Sequence, residues 1–311
     1  MNPALDSCLR AATEVPARER VADWWPRWRD GAARAATPVA QALLGGFDAD
    51  RVGWAFTSGY QAALRALLPE LPRDAMAALC VTEEGGNRPR DIRTRVEPCG
   101  DGGWLISGAK RWTTLGPDSS VLLVVGALPA GDGAARAALK VARVAPGTPG
   151  LQLLPMPDTR FVPEVPHARV QLEAVRVAAD ALLPGDGYER YVKPFRTVED
   201  AHVTLAVLAY LLREARHRGW PAGFAERLYA TLAALAAVAE SPADAPATHV
   251  ALAGALAQAG SLYAEAGSLW AQVAHDPAAQ RWQRDAALFG VASSARAQRA
   301  ARAWERLRSG A

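Results

Sequence analysis

Residues 78–125 read ALCVTEEGGNRPRDIRTRVEPCGDGGWLISGAKRWTTLGPDSSVLLVV, and this stretch decides the fold. Ile92, Thr94 and Val96 alternate with charged residues, a period of two that is typical of a half-buried strand. The run from Gly100 to Gly103 supplies residues that tolerate positive φ, as a tight hairpin requires. Because the strand-like segments lie close together in sequence, the stretch predicts antiparallel pairing.

Strand-like segments continue beyond this stretch. Ala137 to Val144 alternates, Leu151 to Leu154 is short and apolar, and Arg169 to Val177 alternates again. One residue too many separates Leu172 from Val175, which predicts a β-bulge there. Several strands at short intervals with Gly and Pro turns indicate a small antiparallel barrel or sandwich.

Residues 1–77 have helical patterns with breaks. Val21, Trp24, Trp25 and Trp28 recur at helical spacing, and a second apolar face runs from Val52 until prolines end it. The tryptophans fit either a ligand lid or, more commonly, an amphipathic helix packed on its neighbour.

The last third of the chain is rich in Ala and Leu and predicts four long helices. Short links that contain Gly and Pro separate the earlier helices, which predicts an up-and-down bundle. The predicted helices are Tyr188 to His217, Phe224 to Ala239, Ala247 to His275 and Pro277 to Arg308.

Composition excludes several classes of protein. The 311 residues are 50% hydrophobic, enough for two or three domains, and the net charge of +3 gives no electrostatic case for nucleic acid. Cys8, Cys80 and Cys99 lack metal-ligand spacing and cannot all pair, so we expect a reduced, cytoplasmic protein. No apolar run has the length that a bilayer needs, and the N-terminus lacks a signal pattern.

Two segments, TEEGG at residues 82–86 and GAKRWTT at residues 108–114, resemble motifs of the acyl-CoA dehydrogenases. That family has Thr-Glu-Pro-Gly-x-Gly-Ser-Asp followed by Gly-x-Lys-x-Trp-Ile-Thr. Residues 185–188, GDGY, are similar to the Gly-x-Gly-Phe that leads into the family's C-terminal helices.

The resemblance implies an α+β fold with three domains: a helical domain at 1–77, a middle antiparallel β-domain at 78–184 and a helical bundle at 185–311. It implies FAD as cofactor, an acyl-CoA or other acyl thioester as substrate, and a homodimer or homotetramer. Thr82 would hydrogen-bond the edge of the flavin ring, Trp112 would lie against its face, and Thr114 would sit near its reactive nitrogen. The alternative is that Trp112 is a core residue and the two threonines are ordinary strand residues.

The chain departs from the family at the loop and at the catalytic base. Glu84 replaces the proline, and residues 87–89, NRP, replace Gly-Ser-Asp. The glutamate that most members carry after an Arg-Asp-Ala segment is absent after Arg284. A minority of members place the base on the first helix of the last domain, and counting from Gly187 this position falls within one residue of Glu199. The alternative is that Glu199 is a solvated charge early in a helix.

The family's Arg-x-x-Phe-Gly segment for the adenosine pyrophosphate is also absent. The corresponding link, residues 213–220, is REARHRGW, basic enough to meet phosphates. Arg216 and Arg218 fit equally well as surface charges at a helix C-terminus. The sequence therefore leaves two functions open. The protein is either a flavoprotein oxidoreductase or a catalytically degenerate homologue with a binding or assembly role.

Overall fold

The computed structural model describes residues 2–100, 102–129 and 138–309 of the chain. Its helices are α1 (Pro3–Arg10), α2 (Val21–Asp30), α3 (Pro38–Phe47), α4 (Val52–Leu67), α5 (Lys193–Arg218), α6 (Ala222–Ala239), α7 (Pro246–Ala271), α8 (Pro277–Asp285) and α9 (Ser293–Ser309). Its strands are β1 (Ala77–Cys80), β2 (Arg95–Pro98), β3 (Trp104–Thr114), β4 (Val121–Ala127), β5 (Leu139–Val144), β6 (Leu151–Pro155) and β7 (His167–Val177).

The chain forms two compact units. The helical unit is discontinuous and comprises Met1–Pro69, Thr159–Glu164 and Arg196–Ala311. The β unit comprises Glu70–Asp158 and Val165–Phe195. The first and last helices of the chain therefore belong to one unit, and the predicted three-domain boundaries stay a prediction.

The strands of the β unit form one sheet in the order β1-β4-β2-β3-β7-β6, with β5 paired to β4. The pairs β2–β3, β3–β7, β6–β7 and β4–β5 are antiparallel. The expectation of only antiparallel pairing is wrong where β2 meets β4, a parallel pair at Arg95↔Ala127. It is also wrong for β1, which runs parallel to β4 from Ala77↔Val121 to Cys80↔Val124. Some forty residues separate these strands, which is long enough for a crossover.

Two local predictions about the sheet are confirmed. The hairpin that joins β2 to β3 pairs Pro98 with Trp104, although Asp101 at its tip lies outside the described residues. The predicted bulge is present, because Ile106 pairs with Val175 while Gly108 pairs with Leu172. The predicted strand start at Ala137 also lies outside the described residues, and β5 begins at Leu139.

The sheet core is formed by apolar side chains that are almost completely buried. Alternation on β1, β2, β3, β4, β5 and β7 brings them to one side, where they pack together. The cluster consists of Ala78, Cys80, Val96, Ile106, Leu122, Val124, Ala142, Val144, Val170, Leu172 and Val175.

The N-terminal tryptophans pack in the core of the helical unit. Trp24 and Trp28 on α2 are each 2% exposed. The Trp24 ring stacks on Trp54 of α4 with centroids 5.7 Å apart and planes 8° apart. The interpretation as a packed amphipathic helix is therefore confirmed for this pair.

The prediction of one continuous helix from Pro277 to Arg308 is wrong. The chain breaks after α8 into a 3₁₀ turn at Ala286–Gly290, and α9 begins only at Ser293. Ala292, in the break, has φ +63°. The break lets the Phe289 ring stack on Tyr263 of α7, with centroids 4.1 Å apart. Tertiary packing of this ring overrides the helical propensity of the alanine-rich sequence.

Glycines allow α3 and α4 to approach α5 closely. A Cβ on Gly46 of α3 would collide with the backbone of Ala206, and a Cβ on Gly59 of α4 would lie 2.5 Å from the Cα of Val203. Only glycine fits where two helix backbones come this near.

In the described part of the chain, one helix, α6, has the length and apolar composition to cross a membrane. Of the 18 residues of α6, 39% are buried within the structure. The core helix of a soluble protein can have the same length and apolar composition.

Candidate functional site

Trp112 stands on a second bulge near the end of β3. Lys110 pairs with Val170 and Thr113 with Ala168, so Arg111 and Trp112 together oppose the single residue Arg169. The backbone of Trp112 is left-handed, with φ +57°. Its side chain is 42% exposed, so the alternative of a core tryptophan is wrong.

Neighbouring side chains hold the indole from the β7 side. The His167 ring meets it edge-on with centroids 5.9 Å apart. The Trp112 amide donates to Sδ of Met156 at 3.1 Å. Burial lowers the pKa of His167, while a hydrogen bond with the backbone of Val165 acts in the opposite direction, so its ring is neutral at pH 7.

Thr82 and Thr114 lie beside Trp112. The carbonyl of Thr82 accepts a hydrogen bond from the Arg111 amide at 2.8 Å, and Thr114 pairs with His167. Both threonines are half-buried, and within residues 2–100, 102–129 and 138–309 neither hydroxyl has a hydrogen-bond partner. The structure therefore brings all three predicted flavin-contact residues to one end of β3.

A buried ion pair joins the two motif segments. Nζ of Lys110 lies 2.6 Å from Oε1 of Glu83, and their side chains are 0% and 7% exposed. Glu83 also accepts from the amides of Arg93 and Thr94, at 2.7 and 3.0 Å, and from the Thr94 hydroxyl at 2.8 Å. Burial alone would raise the pKa of Glu83, but Lys110 and these donors outweigh it and lower the pKa, so Glu83 is an ionised carboxylate.

The altered loop after Glu83 is on the surface. Glu84, which replaces the family's proline, is 75% exposed and pairs with Arg111 at 2.8 Å and with Arg169 at 3.6 Å. Asp91 caps the following turn by accepting from the Arg88 amide at 3.2 Å. The loop is therefore ordered by its own charges in place of a Gly-Ser-Asp sequence.

Glu199 lies on α5 in the helical unit and is half-buried. Burial, and next the charge of Asp200, raise its pKa to about 7, against opposing effects of Arg296 and Arg196. A carboxylate with a pKa near neutrality can accept a proton at physiological pH, which a solvated surface glutamate does poorly.

The residues that follow Glu199 have structural partners. Asp200 pairs with Arg296 and Arg299 of α9, at 2.8 and 2.5 Å. His202 is buried and bonds through Nδ1 to the Val198 carbonyl at 2.8 Å. Burial lowers the pKa of His202 to about 4, so the ring is neutral at pH 7.

The Arg284-Asp285 segment also contributes to structure. Asp285 is fully buried and accepts from the Val162 amide at 2.7 Å, and Arg284 pairs with Glu164 at 2.9 Å. These contacts fasten the Thr159–Glu164 segment to the helical unit. Ser293 and Ser294 of α9 are exposed.

The arginines at the end of α5 are neither simple surface charges nor free for phosphate. Arg213 donates to the Ala49 carbonyl at 2.8 Å, and Arg216 donates to the Cys8 carbonyl at 2.7 Å. Arg218 pairs with Glu214 and Asp276, at 2.7 and 2.8 Å. All three are used inside the helical unit.

No family model matches the chain, and no curated protein matches it significantly. Among solved structures it is similar to butyryl-CoA dehydrogenase from Megasphaera elsdenii, with a TM-score of 0.72 and 15% identity over 97% of this chain and 96% of that chain. The chain has the acyl-CoA dehydrogenase fold.

Two further similar structures contain flavin. The FAD complex of PigA has a TM-score of 0.66 and 14% identity, covering 96% of this chain and 92% of that chain. FMN-bound TdsC from Paenibacillus sp. A11-2 has a TM-score of 0.66 and 17% identity, covering 89% and 82%. The acyl-CoA dehydrogenase fold is therefore found with either flavin.

Within this acyl-CoA dehydrogenase fold, the end of β3 has the features that a flat aromatic ligand needs. An exposed indole offers a wall, and the Thr82 and Thr114 hydroxyls, which have no hydrogen-bond partner among the described residues, offer polar contacts. The residues present therefore fit the ring of a flavin.

Sequence analysis missed the pairing of Glu83 with Lys110. Both residues belong to the motif segments, but periodicity places Lys110 on a strand whose interior positions are otherwise apolar. A charged residue at such a position signals a buried partner, because an isolated buried charge is very costly. That signal names no partner, which here lies 27 residues earlier.

Proposed function

We propose that this protein is a flavin-dependent oxidoreductase that acts on the CH–CH group of an acyl thioester, with FAD as its cofactor. The observation that carries the proposal is the exposed Trp112 on its left-handed bulge, with Thr82 and Thr114 beside it. Residues with a strained backbone are found preferentially at active sites and ligand clamps. The acyl-CoA dehydrogenase fold supports the class of reaction.

In this proposal Trp112 would hold the face of the flavin ring, Thr82 would hydrogen-bond its edge, and Thr114 would sit near its reactive nitrogen. Flavin, when bound, supplies the acceptor for the hydride that leaves the β-carbon of the thioester. Glu199 takes the α-proton on its carboxylate, and its pKa of about 7 leaves a large ionised fraction at neutral pH. The product is the α,β-unsaturated thioester.

The visible absorption spectrum tests the proposal. Purified protein mixed with FAD, or separately with FMN, and then dialysed should keep the flavin bands. Trp112→Ala should lose them and Trp112→Phe should keep them, because phenylalanine preserves an aromatic wall. Bleaching of the bands by an acyl-CoA would identify the substrate class, and no retained colour with either flavin would refute the oxidoreductase proposal.

A second candidate function is a binding or assembly role, in a homologue that has lost catalytic activity. It is favoured by the three α5 arginines, each of which has partners within the helical unit instead of the family's pyrophosphate-binding segment. If this candidate is correct, the protein should be folded and should stay colourless after dialysis in the same experiment.

A further inference from the structure

The backbone of Trp112 is strained. Non-glycine residues rarely adopt a φ of +57°, and bulky ones do so least. Such a conformation persists only where the surroundings determine it, and it occurs preferentially at functional sites. The contacts on either side of Trp112 therefore decide whether its indole keeps its position.

On the downstream side, Thr113 returns to register with Ala168 of β7. On the upstream side, the Arg111 amide is bonded to Thr82 and the Lys110 ammonium is bonded to Glu83. Both upstream contacts run from the GAKRWTT segment to the TEEGG segment. The carboxylate of Glu83 is fixed in turn by three donors from Arg93 and Thr94.

We infer that the buried Glu83–Lys110 ion pair is a positioning device for the ligand-binding wall formed by Thr82, Trp112 and Thr114. Thr82 immediately precedes Glu83, and Trp112 follows Lys110 by two residues, so one contact sets the position of both. Neither charged group is among the wall residues, so the pair acts through its neighbours. The inference rests on the proposed function of that wall in binding flavin.

A buried ion pair is a poor source of stability, because desolvation offsets most of the attraction. The geometry here is specific, since among the described residues Lys110 has one second acceptor, the Val81 carbonyl at 3.4 Å. An apolar side chain of similar length would fill the same space without fixing the register between the segments. Conformational specificity is therefore what the charges add.

The test uses the double variant Glu83→Gln/Lys110→Met. Glutamine keeps an oxygen for the amides of Arg93 and Thr94, and methionine keeps the length of the lysine stem, so the β unit should still fold. Lys110→Met alone is the second variant. Arg143→Gln is the matched control, because Arg143 forms a half-exposed ion pair with Glu70 in the same unit, at 2.8 Å.

The first readout needs no flavin. Amide hydrogen exchange of the peptide covering residues 105–114 should become about tenfold faster in both variants, because the Arg111 amide loses its fixed acceptor on Thr82. Exchange of β4 (Val121–Ala127) should be unchanged, and Arg143→Gln should match the parent protein in both peptides. Unchanged exchange of residues 105–114 would overturn the inference.

The second readout is the dissociation constant for FAD, measured by fluorescence titration. It should rise about tenfold or more in the double variant, as for the loss of residues that orient a binding group. Trp112→Ala should raise it as well, and Arg143→Gln should not. If the dissociation constant is normal in the double variant but raised in Trp112→Ala, the inference about the ion pair is overturned and the proposed flavin wall is not. Normal values in both overturn the proposed flavin wall and, with it, the inference.

Discussion

At the end of β3, neighbouring residues have different environments and different roles. The indole is exposed, whereas Lys110, two residues earlier, is completely buried against Glu83. Strand periodicity predicts neither fact, since both depend on a bulge that a two-residue repeat cannot encode. Motif resemblance identified Trp112, and only the three-dimensional structure identified the ion pair beneath it.

Glu199 carries the prediction about catalysis. Its carboxylate must be ionised to accept the α-proton, so kcat/KM should rise tenfold per pH unit below an apparent pKa of about 7 and level off above it. Glu199→Gln should lower kcat by about 10²–10⁴-fold. Steady-state assays across pH 5–9 check this, with the exposed Glu226→Gln as control. Turnover of Glu199→Gln equal to that of the parent would remove Glu199 from the mechanism.

The same residue carries a prediction about stability. Because its pKa is raised from 4.5 to about 7 in the folded state, Glu199 stabilises the fold fully below pH 4.5, and that contribution is lost as pH rises through 7. Glutamine cannot ionise. The free energy of unfolding of Glu199→Gln should therefore rise by about 2 kcal/mol, relative to that of the parent protein, between pH 5 and pH 8. Urea unfolding at the two pH values measures the difference, and a pH-independent difference would contradict the raised pKa.

At the scale of elements, local patterns predicted what local contacts determine. The β2–β3 hairpin and the bulge between Leu172 and Val175 follow from turn residues and from alternation within a few positions. The parallel pairing of β1 with β4 depends on residues some forty positions apart, beyond any periodic signal. The break between α8 and α9 depends on Phe289 meeting Tyr263, again a distant contact.

Helix approach carries the prediction at this scale. Gly46→Ala should destabilise the protein by about 1–3 kcal/mol, because the methyl group would overlap the backbone of α5 at Ala206. Gly254→Ala is the control, since a Cβ at this exposed position in α7 meets no atom within 4 Å. That substitution should instead stabilise by about 0.5–1 kcal/mol. Thermal unfolding measures both, and equal effects would refute the close approach of α3 to α5.

At the scale of the whole molecule, the apolar surface left on and next to α9 bears on assembly. Val291, Trp304 and Leu307 are 48, 51 and 47% exposed, whereas large apolar side chains elsewhere in the described helices are mostly buried. Trp304 and Leu307 lie about one turn apart on α9, and a contiguous exposed apolar patch is typical of an interface between subunits. This surface is consistent with the homo-oligomer that the family resemblance implies.

We predict that the protein is a homodimer or homotetramer and that Leu307→Glu shifts it toward monomer, because a charge cannot be buried unpaired at an apolar contact. Size-exclusion chromatography with light scattering at several concentrations measures the mass. Arg308→Glu, a neighbouring charge change at an already polar position, is the control. A parent protein that is monomeric at every concentration would contradict the prediction.

The discontinuous helical unit has a consequence for synthesis on the ribosome. The glycine contacts of α3 and α4 require α5, which is made about 160 residues later. At roughly 5–20 residues per second, the nascent N-terminal helices wait about 8–30 s for this partner. During that interval the faces of α3 and α4 that lie against Ala206 and Val203 in the folded unit have no partner to cover them. Nascent chains should therefore depend on a chaperone until residue 218 has left the exit tunnel.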